Sequence, residues 1–443
     1  MRKILIILSI MFSVAVGVAR SYDKEIAEAI NNADWFALDS IYAVAPEGSI
    51  SDFLDVFSRA LIGNRFNRPD ISIPAFEKLL TKHTTELGPD QMISCAIMCA
   101  VDKSRQGDNV GATAILGSVQ GKLLEEGNIK AAQILERFIQ QYSSLAEYHP
   151  YRINIEGSEG EMSFKMVAVG RPEKKGVHMR LEDGFINGIP ADITFDTGAG
   201  VNVIASSLVE KYNLIPIDVE TKVSGAKPHN GSLAIAKEMK IGNISVGDVP
   251  FYVMDITANN DEADQYMQSL NIIIGSDLML QLKDMTIDFE NSRIIVPVEA
   301  PSKTDSRPNL CFSSQMNLLV KGLIRDCGML MNVDTGDSGY GCLGKEFYKK
   351  NKKFIKTEGK ETNIRLAGIG GVEISKGYEV ADLLLNLGGN SVDVPVMEVM
   401  PKSDCFGGYE CNLGVKTLML FRSVRFNLVD FVLSTESYKS HAN

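Results

Sequence analysis

Two stretches decide how this chain is read: Ile193-Thr194-Phe195-Asp196-Thr197-Gly198-Ala199-Gly200 and Met329-Leu330-Met331-Asn332-Val333-Asp334-Thr335-Gly336-Asp337-Ser338. Each sets one Asp directly after an apolar run of strand character and follows it with Thr-Gly. An Asp there stands where the chain turns off a strand end, and the Gly behind it lets backbone approach closely because it has no Cβ. Taken singly, such an Asp is a turn former bonded to its own backbone. The repetition changes that reading.

Four anchors return in the same order. Phe195-Asp196-Thr197-Gly198 returns as Val333-Asp334-Thr335-Gly336 at an offset of 138 residues, and Asp248-Val249-Pro250 as Asp393-Val394-Pro395 at 145. Ile273-Ile274-Gly275 is echoed by Asn412-Leu413-Gly414, and Ile287-Asp288-Phe289 by Phe426-Asn427-Leu428, both at 139. We read an internal duplication, with lobes over 150–300 and 309–435 and a polar linker over 301–308. From Tyr148-His149-Pro150 onward, short alternating runs rich in Val, Ile and Phe are separated by Gly and Asn turns, so both lobes are all-β.

A pseudo-twofold axis between the copies brings the two Asp turns together. Like charges a few ångströms apart cannot both ionise cheaply, so the pair holds a single proton through mildly acid pH. The carboxylate can then take a proton from water while the carboxyl donates a hydrogen bond to a substrate carbonyl. The chemistry is amide hydrolysis without covalent intermediate or metal, and its apparent pKa values belong to the pair.

Residues 150–435 resemble an aspartic protease of the retropepsin and pepsin clan with both lobes in one chain. The resemblance implies a bilobal acid-protease-like fold of two duplicated β-barrel lobes, an endopeptidase with Asp196 and Asp334 as catalytic pair, extended polypeptide as substrate, and no cofactor. It makes Thr197 and Thr335 the interlocking threonines whose hydroxyls bond the opposite lobe's backbone. Gly198 and Gly336 support the turns, and Gly275 and Gly414 lie on strands crossing behind them, 79 and 80 residues after Asp196 and Asp334. The family's flap hairpin matches either Val223-Ser224-Gly225-Ala226 or Ala367-Gly368-Ile369-Gly370-Gly371, which makes Gly225, Gly368 and Gly370 its candidate glycines. Asp337 departs from the family's Ala or Ser and is a candidate modulator: it either raises the dyad's pKa values or marks a second lobe that has drifted from catalysis. Asn412 stands where the family has an apolar residue. The alternative function is a non-catalytic protein that binds peptide with a degenerate protease domain and docks partners through a helical domain.

That helical domain covers 22–147. Ile26, Ala29 and Ile30, then Phe53, Leu54, Val56 and Phe57, then Ile134, Leu135, Phe138 and Ile139 recur at three- and four-residue steps. Breaks at Pro46-Glu47-Gly48, Gly88-Pro89 and Gly107-Asp108 cut the region into ordinary helices. The paired short helices resemble a tetratricopeptide-type solenoid, so a protein partner is expected there. Trp35 with Leu38 reads as core of the first pair. Ahead of this domain, Arg2 and Lys3, an apolar run over 4–18, and the small residues Gly17, Ala19 and Ser21 read as a signal peptide over 1–20, giving an exported protein, periplasmic or extracellular. The run falls short of the ~20 residues of a membrane anchor, and no later stretch is long and apolar enough to span.

The 443 residues allow roughly three core-forming units. With 45 Lys+Arg against 56 Asp+Glu the net charge is −11, which argues against nucleic acid as a partner. Seven Cys are too few for a disulfide scaffold. Cys405 and Cys411 flank a Gly-Gly turn and can pair, while Cys95 and Cys99 share an apolar helix face and read as buried thiols. None of the Cys or His falls at a zinc-ligand spacing, so no metal is expected. Gly336-Asp337-Ser338-Gly339 spells a serine-nucleophile motif, but His178 and His229 lack the partners that chemistry needs. Lys345, Lys349, Lys350, Lys352, Lys353 and Lys356 read as a solvated helix face.

Overall fold

The computed structural model describes residues 22–171, 174–224, 228–256, 270–304, 306–314, 316–368 and 371–438. The segment read as a signal peptide and the flap candidates Gly225 and Gly370 lie outside the described residues. The chain divides between Tyr148 and His149 into two units.

The first unit is helical: Asp23–Asn31, Trp35–Val44, Asp52–Arg65, Pro69–Lys82, Thr84–Arg105, Asn109–Glu125 and Ile129–Leu145. Local chemistry sets several of these limits. Asp34 and Asp108 cap helix starts by accepting from Ala37 N and Gly111 N. Gly88 takes φ +67° before Pro89 and breaks the stretch Thr84–Arg105, and Gly107 at φ +80° closes it. The apolar face of each helix fills a core of Ile26, Leu38, Phe57, Phe76, Leu116 and Leu135. Cys95 and Cys99 are buried in it. Asp102 is also buried, where Asn64 Nδ2 and Ser72 Oγ donate to it at 2.9 and 2.6 Å. Arg65 lies over the Trp35 ring at 4.9 Å.

The second unit is built of strands. Its first run pairs in the order Ile215–Ser224, Pro228–Ile241, Ile244–Met254, Val203–Ala205, Ile272–Ile274, Ile193–Phe195, Lys174–Leu181. Its second run pairs in the order Lys360–Gly368, Gly371–Leu387, Asn390–Val399, Gly341–Leu343, Cys411–Gly414, Cys327–Asp334, Leu318–Ile324. Both runs show the same sense of pairing step by step: antiparallel twice, then parallel, antiparallel, parallel and antiparallel. Central strands are buried on both faces, as in Ile193-Thr194-Phe195 and the wholly apolar Ile272-Ile273-Ile274. Edge-ward strands alternate instead: Val320, Gly322 and Ile324 turn inward while Lys321 and Leu323 face water.

The first run continues through Glu159–Arg171, Arg293–Pro297 and Asp284–Asp288 to Ser423–Asn427 and Val432–Glu436. The last two strands of the chain therefore finish a sheet begun far upstream, with Asp284 opposite Asn427 and Asp288 opposite Ser423. Arg425 locks the join by donating twice to the buried Asp284 carboxylate, at 3.0 and 2.7 Å.

The expected pairing of Cys405 with Cys411 is corrected. Cys405 is bonded to Cys342, and Cys411 is a free, buried thiol. Cys411 opens the inner strand Cys411–Gly414, in register with Met331 and Leu343, and its sulfur is enclosed by that sheet. The helix Lys345–Glu358 exposes Lys349, Lys350, Lys352, Lys353 and Lys356, while Lys345 pairs with Asp404 at 2.8 Å. No helix of the described residues is long and apolar enough to cross a membrane.

Candidate active site

The buried strand Ile193–Phe195 and the buried end of the strand Cys327–Asp334 deliver Asp196 and Asp334 to two turns. Each turn is tied to its own Asp. Asp196 Oδ1 accepts from Gly198 N at 2.9 Å and Ala199 N at 3.1 Å. Asp334 Oδ1 accepts from Gly336 N and Asp337 N, both at 3.0 Å. Either residue alone would be the turn former that a single Asp-Thr-Gly suggests.

The threonines join the turns. Thr335 Oγ1 accepts from Thr197 N at 3.0 Å and donates to Phe195 O at 2.8 Å. Reciprocally, Thr197 Oγ1 accepts from Thr335 N at 3.1 Å and donates to Val333 O at 2.6 Å. Both threonines are buried, so the four bonds form away from water and fix the two strand ends against each other.

The turns face each other closely enough to require glycine. A Cβ on Gly198 would sit 2.5 Å from Asp334 Oδ1, and one on Gly336 would sit 2.3 Å from Asp196 Oδ2. Each carboxyl thus lies against the other turn's glycine. Behind the turns, a Cβ on Gly275 would meet Val201 O at 2.5 Å and one on Gly414 would meet Gly339 O at 2.4 Å. Gly414 pairs in register with Asp334 itself.

Burial raises the pKa of Asp196, against the lowering effect of the backbone N–H groups it accepts from. Asp334 is held well above the usual carboxylate range, first by burial and then by the negative charges of Asp196 and Asp337. Both shifts favour a pair that keeps a proton, with the stronger upward push on Asp334. His178 is buried in the strand Lys174–Leu181, and burial followed by the Arg180 charge pushes its pKa down to about 4.

Of the flap candidates, Gly368 ends the strand Lys360–Gly368 and pairs with Gly371. One residue further, Val372 packs on Val203, Met254, Leu270 and Ile273 of the first strand run, beside Ala199 and Val201. This hairpin of the second run thus shares a packing cluster with Ala199 of the Asp196 turn.

Two buried asparagines escaped the sequence reading. Asn202 Oδ1 accepts from Gly275 N at 3.0 Å and anchors the crossing strand. Asn332 Nδ2 donates to Asn412 Oδ1 at 2.7 Å. The available signal was a polar residue inside an apolar run, Val201-Asn202-Val203 and Met331-Asn332-Val333. Asn412 was noticed only as a departure, yet its Nδ2 donates to both Asp334 Oδ2 and Asp337 Oδ2.

Residues 183–278, which include the Asp196 turn and Gly275, match the family model described as aspartyl protease. The match supports an aspartyl-protease-type domain. No curated protein matches the chain. Among solved structures, a retropepsin-like aspartic protease from Rickettsia conorii is 14% identical, over 32% of this chain and 96% of that chain, with a TM-score of 0.19.

Proposed function

We propose that the chain is an aspartic-type endopeptidase whose water-activating pair is Asp196 and Asp334. The observation that carries the reading is the reciprocal threonine bonding that fixes the turns of two half-buried carboxyls against each other. In this mechanism Asp196, charged, takes a proton from water, while the protonated Asp334 donates to the scissile carbonyl and stabilises the charge growing on its oxygen. Thr197, Thr335, Gly198, Gly336, Gly275 and Gly414 hold that geometry. The hairpin bearing Gly368 and Val372 is our choice of flap, because Val372 packs on the same buried cluster as Ala199 of the Asp196 turn. A strand-like polypeptide suits a cleft covered by a hairpin, since main-chain groups can pair along it.

The same proposal includes descent of the lobes at 150–300 and 309–435 from one doubled segment, which the matching order of strand pairing supports. It also includes export through a signal peptide over 1–20 to the periplasm or outside the cell; a Cys342–Cys405 bond suits an oxidising compartment. The helical unit, solenoid-like in its paired helices, is proposed to dock the polypeptide or a protein partner.

The test is cleavage of an unfolded protein between pH 4 and 7 by the full chain and by Asp196→Asn and Asp334→Asn. Cutting by the wild type and not by either variant is expected. An intact substrate with the wild type, or full activity of Asp334→Asn, refutes the paired mechanism and leaves the rival reading, a protein that holds peptide without cutting it.

A further inference from the structure

The turn after Asp334 places a carboxylate, Asp337, where the matching turn has Ala199. Its Oδ1 accepts from Gly339 N at 2.9 Å, and its Oδ2 accepts from Asn412 Nδ2 at 2.8 Å. The same nitrogen donates to Asp334 Oδ2 at 3.1 Å. A side-chain amide has two N–H donors, so Asn412 commits one to each carboxyl and bridges the two oxygens through a single nitrogen. The amide is fixed in this sense because Asn332 Nδ2 donates to its Oδ1 at 2.7 Å, with both asparagines 3% exposed. Asn332 and Asn412 are register partners on adjacent parallel strands. The corresponding register partners in the first strand run are Thr194 and Ile273, which supply neither amide nor acid.

We infer that Asn332, Asn412 and Asp337 form a positioning relay in which the fixed Asn412 amide spans Asp334 and a third carboxylate, Asp337, whose charge raises the pH at which the pair gives up its shared proton. The inference deepens the proteolytic reading and rests on it for its catalytic meaning; its electrostatic content can be measured without cleavage. The titratable groups facing Asp334 are Asp196 across the pair, Asp337 on its own turn, and Tyr409, whose phenol burial pushes up to about 12 with Asp334 as a further cause. The cation on the helix after Gly414, Lys416, gives its Nζ to Lys175 O and lies 5.6 Å from the Tyr340 ring centroid. Two signs follow. Loss of the Asp337 charge lowers the pair's upper pKa, because a neighbouring negative charge disfavours ionisation. Loss of the Asn412 amide raises it, because Asp334 loses a donor to its charged form while Gly339 N still ties Asp337 to its own turn.

The experiment is a carboxyl-carbon NMR titration, from pH 3 to 9, of the full chain labelled with aspartate carrying 13C at the side-chain carboxyl. Asp196→Asn and Asp334→Asn assign the two resonances. We expect the upper step to fall by roughly one unit in Asp337→Asn, to rise by a similar amount in Asn412→Leu, and to return toward wild type in Asp337→Glu. The alkaline limb of any cleavage profile should move with it. An unmoved step in Asp337→Asn, or shifts of the same sign in both variants, overturns the relay. Should Asn412→Leu not fold, the Asp337→Asn titration decides. Shifts as expected in a chain that cuts nothing leave the relay standing and refute the proteolytic reading; cleavage without the shifts does the reverse.

Discussion

Replacing Thr335 with Val keeps the side chain's shape and removes one hydroxyl. That hydroxyl accepts from Thr197 N and donates to Phe195 O, and Thr335 is 0% exposed. Both backbone groups lose their partner where no solvent reaches. A buried, unsatisfied polar group costs about 1–3 kcal/mol, so two of them should cost the strand-built unit about 3 kcal/mol or more. Thr335→Ser keeps the hydroxyl and gives up one methyl, for about 1 kcal/mol. The assay is urea unfolding followed by far-UV circular dichroism, with m unchanged between variants. Trp35 fluorescence is unsuitable, because the chain's single Trp belongs to the helical unit. If the carboxyls lose their mutual alignment, cleavage by the Val variant should fall about 100-fold. Equal stabilities for the Val and Ser variants would refute the reasoning, since they would mean that the hydroxyl joins nothing of consequence.

Two further outcomes are expected. Burial and the charges of Asp196 and Asp337 raise the folded pKa of Asp334 above its unfolded value of about 3.9. Its ionisation therefore opposes folding, with a penalty absent below about pH 4 that grows as pH rises toward the folded value. Asp334→Asn should melt like the wild type at pH 3.5 and be the more stable of the two at pH 7, and a less stable variant at pH 7 would contradict this sign. The bond between Cys342 and Cys405 spans 63 residues, so Cys342→Ser should cost up to about 4 kcal/mol on the chain-entropy account. Peptide mapping without reduction should recover Cys342 with Cys405, and recovery of Cys405 with Cys411 would reject the pairing.

Much of the fold was legible because its signals are local. Gly88 and Gly107 break helices through their own backbone freedom. Ile193-Thr194-Phe195 reads as an inner strand from its own apolar run. The Asp-Thr-Gly turns announce themselves because a short carboxylate reaches N–H groups two and three residues on, as Asp196 does with Gly198 and Ala199. The disulfide was not legible. A turn between Cys405 and Cys411 suggests a local bridge, whereas the sulfur that meets Cys405 arrives from 63 residues upstream. Asn412 likewise reads as a blemish in an apolar strand until Asn332, Asp334 and Asp337 surround its amide.

By itself the amino-acid order determined that two acidic turns exist, each at the end of an apolar strand and each followed by a residue without a side chain. That much depends on atoms a few bonds apart. Only the tertiary structure decided that the two carboxyls meet, that the Asn412 amide bridges Asp334 and Asp337, and which cysteines join. Each of these depends on groups brought together by burial and strand pairing across 138, 75 or 63 residues, and no local periodicity encodes a distance of that kind.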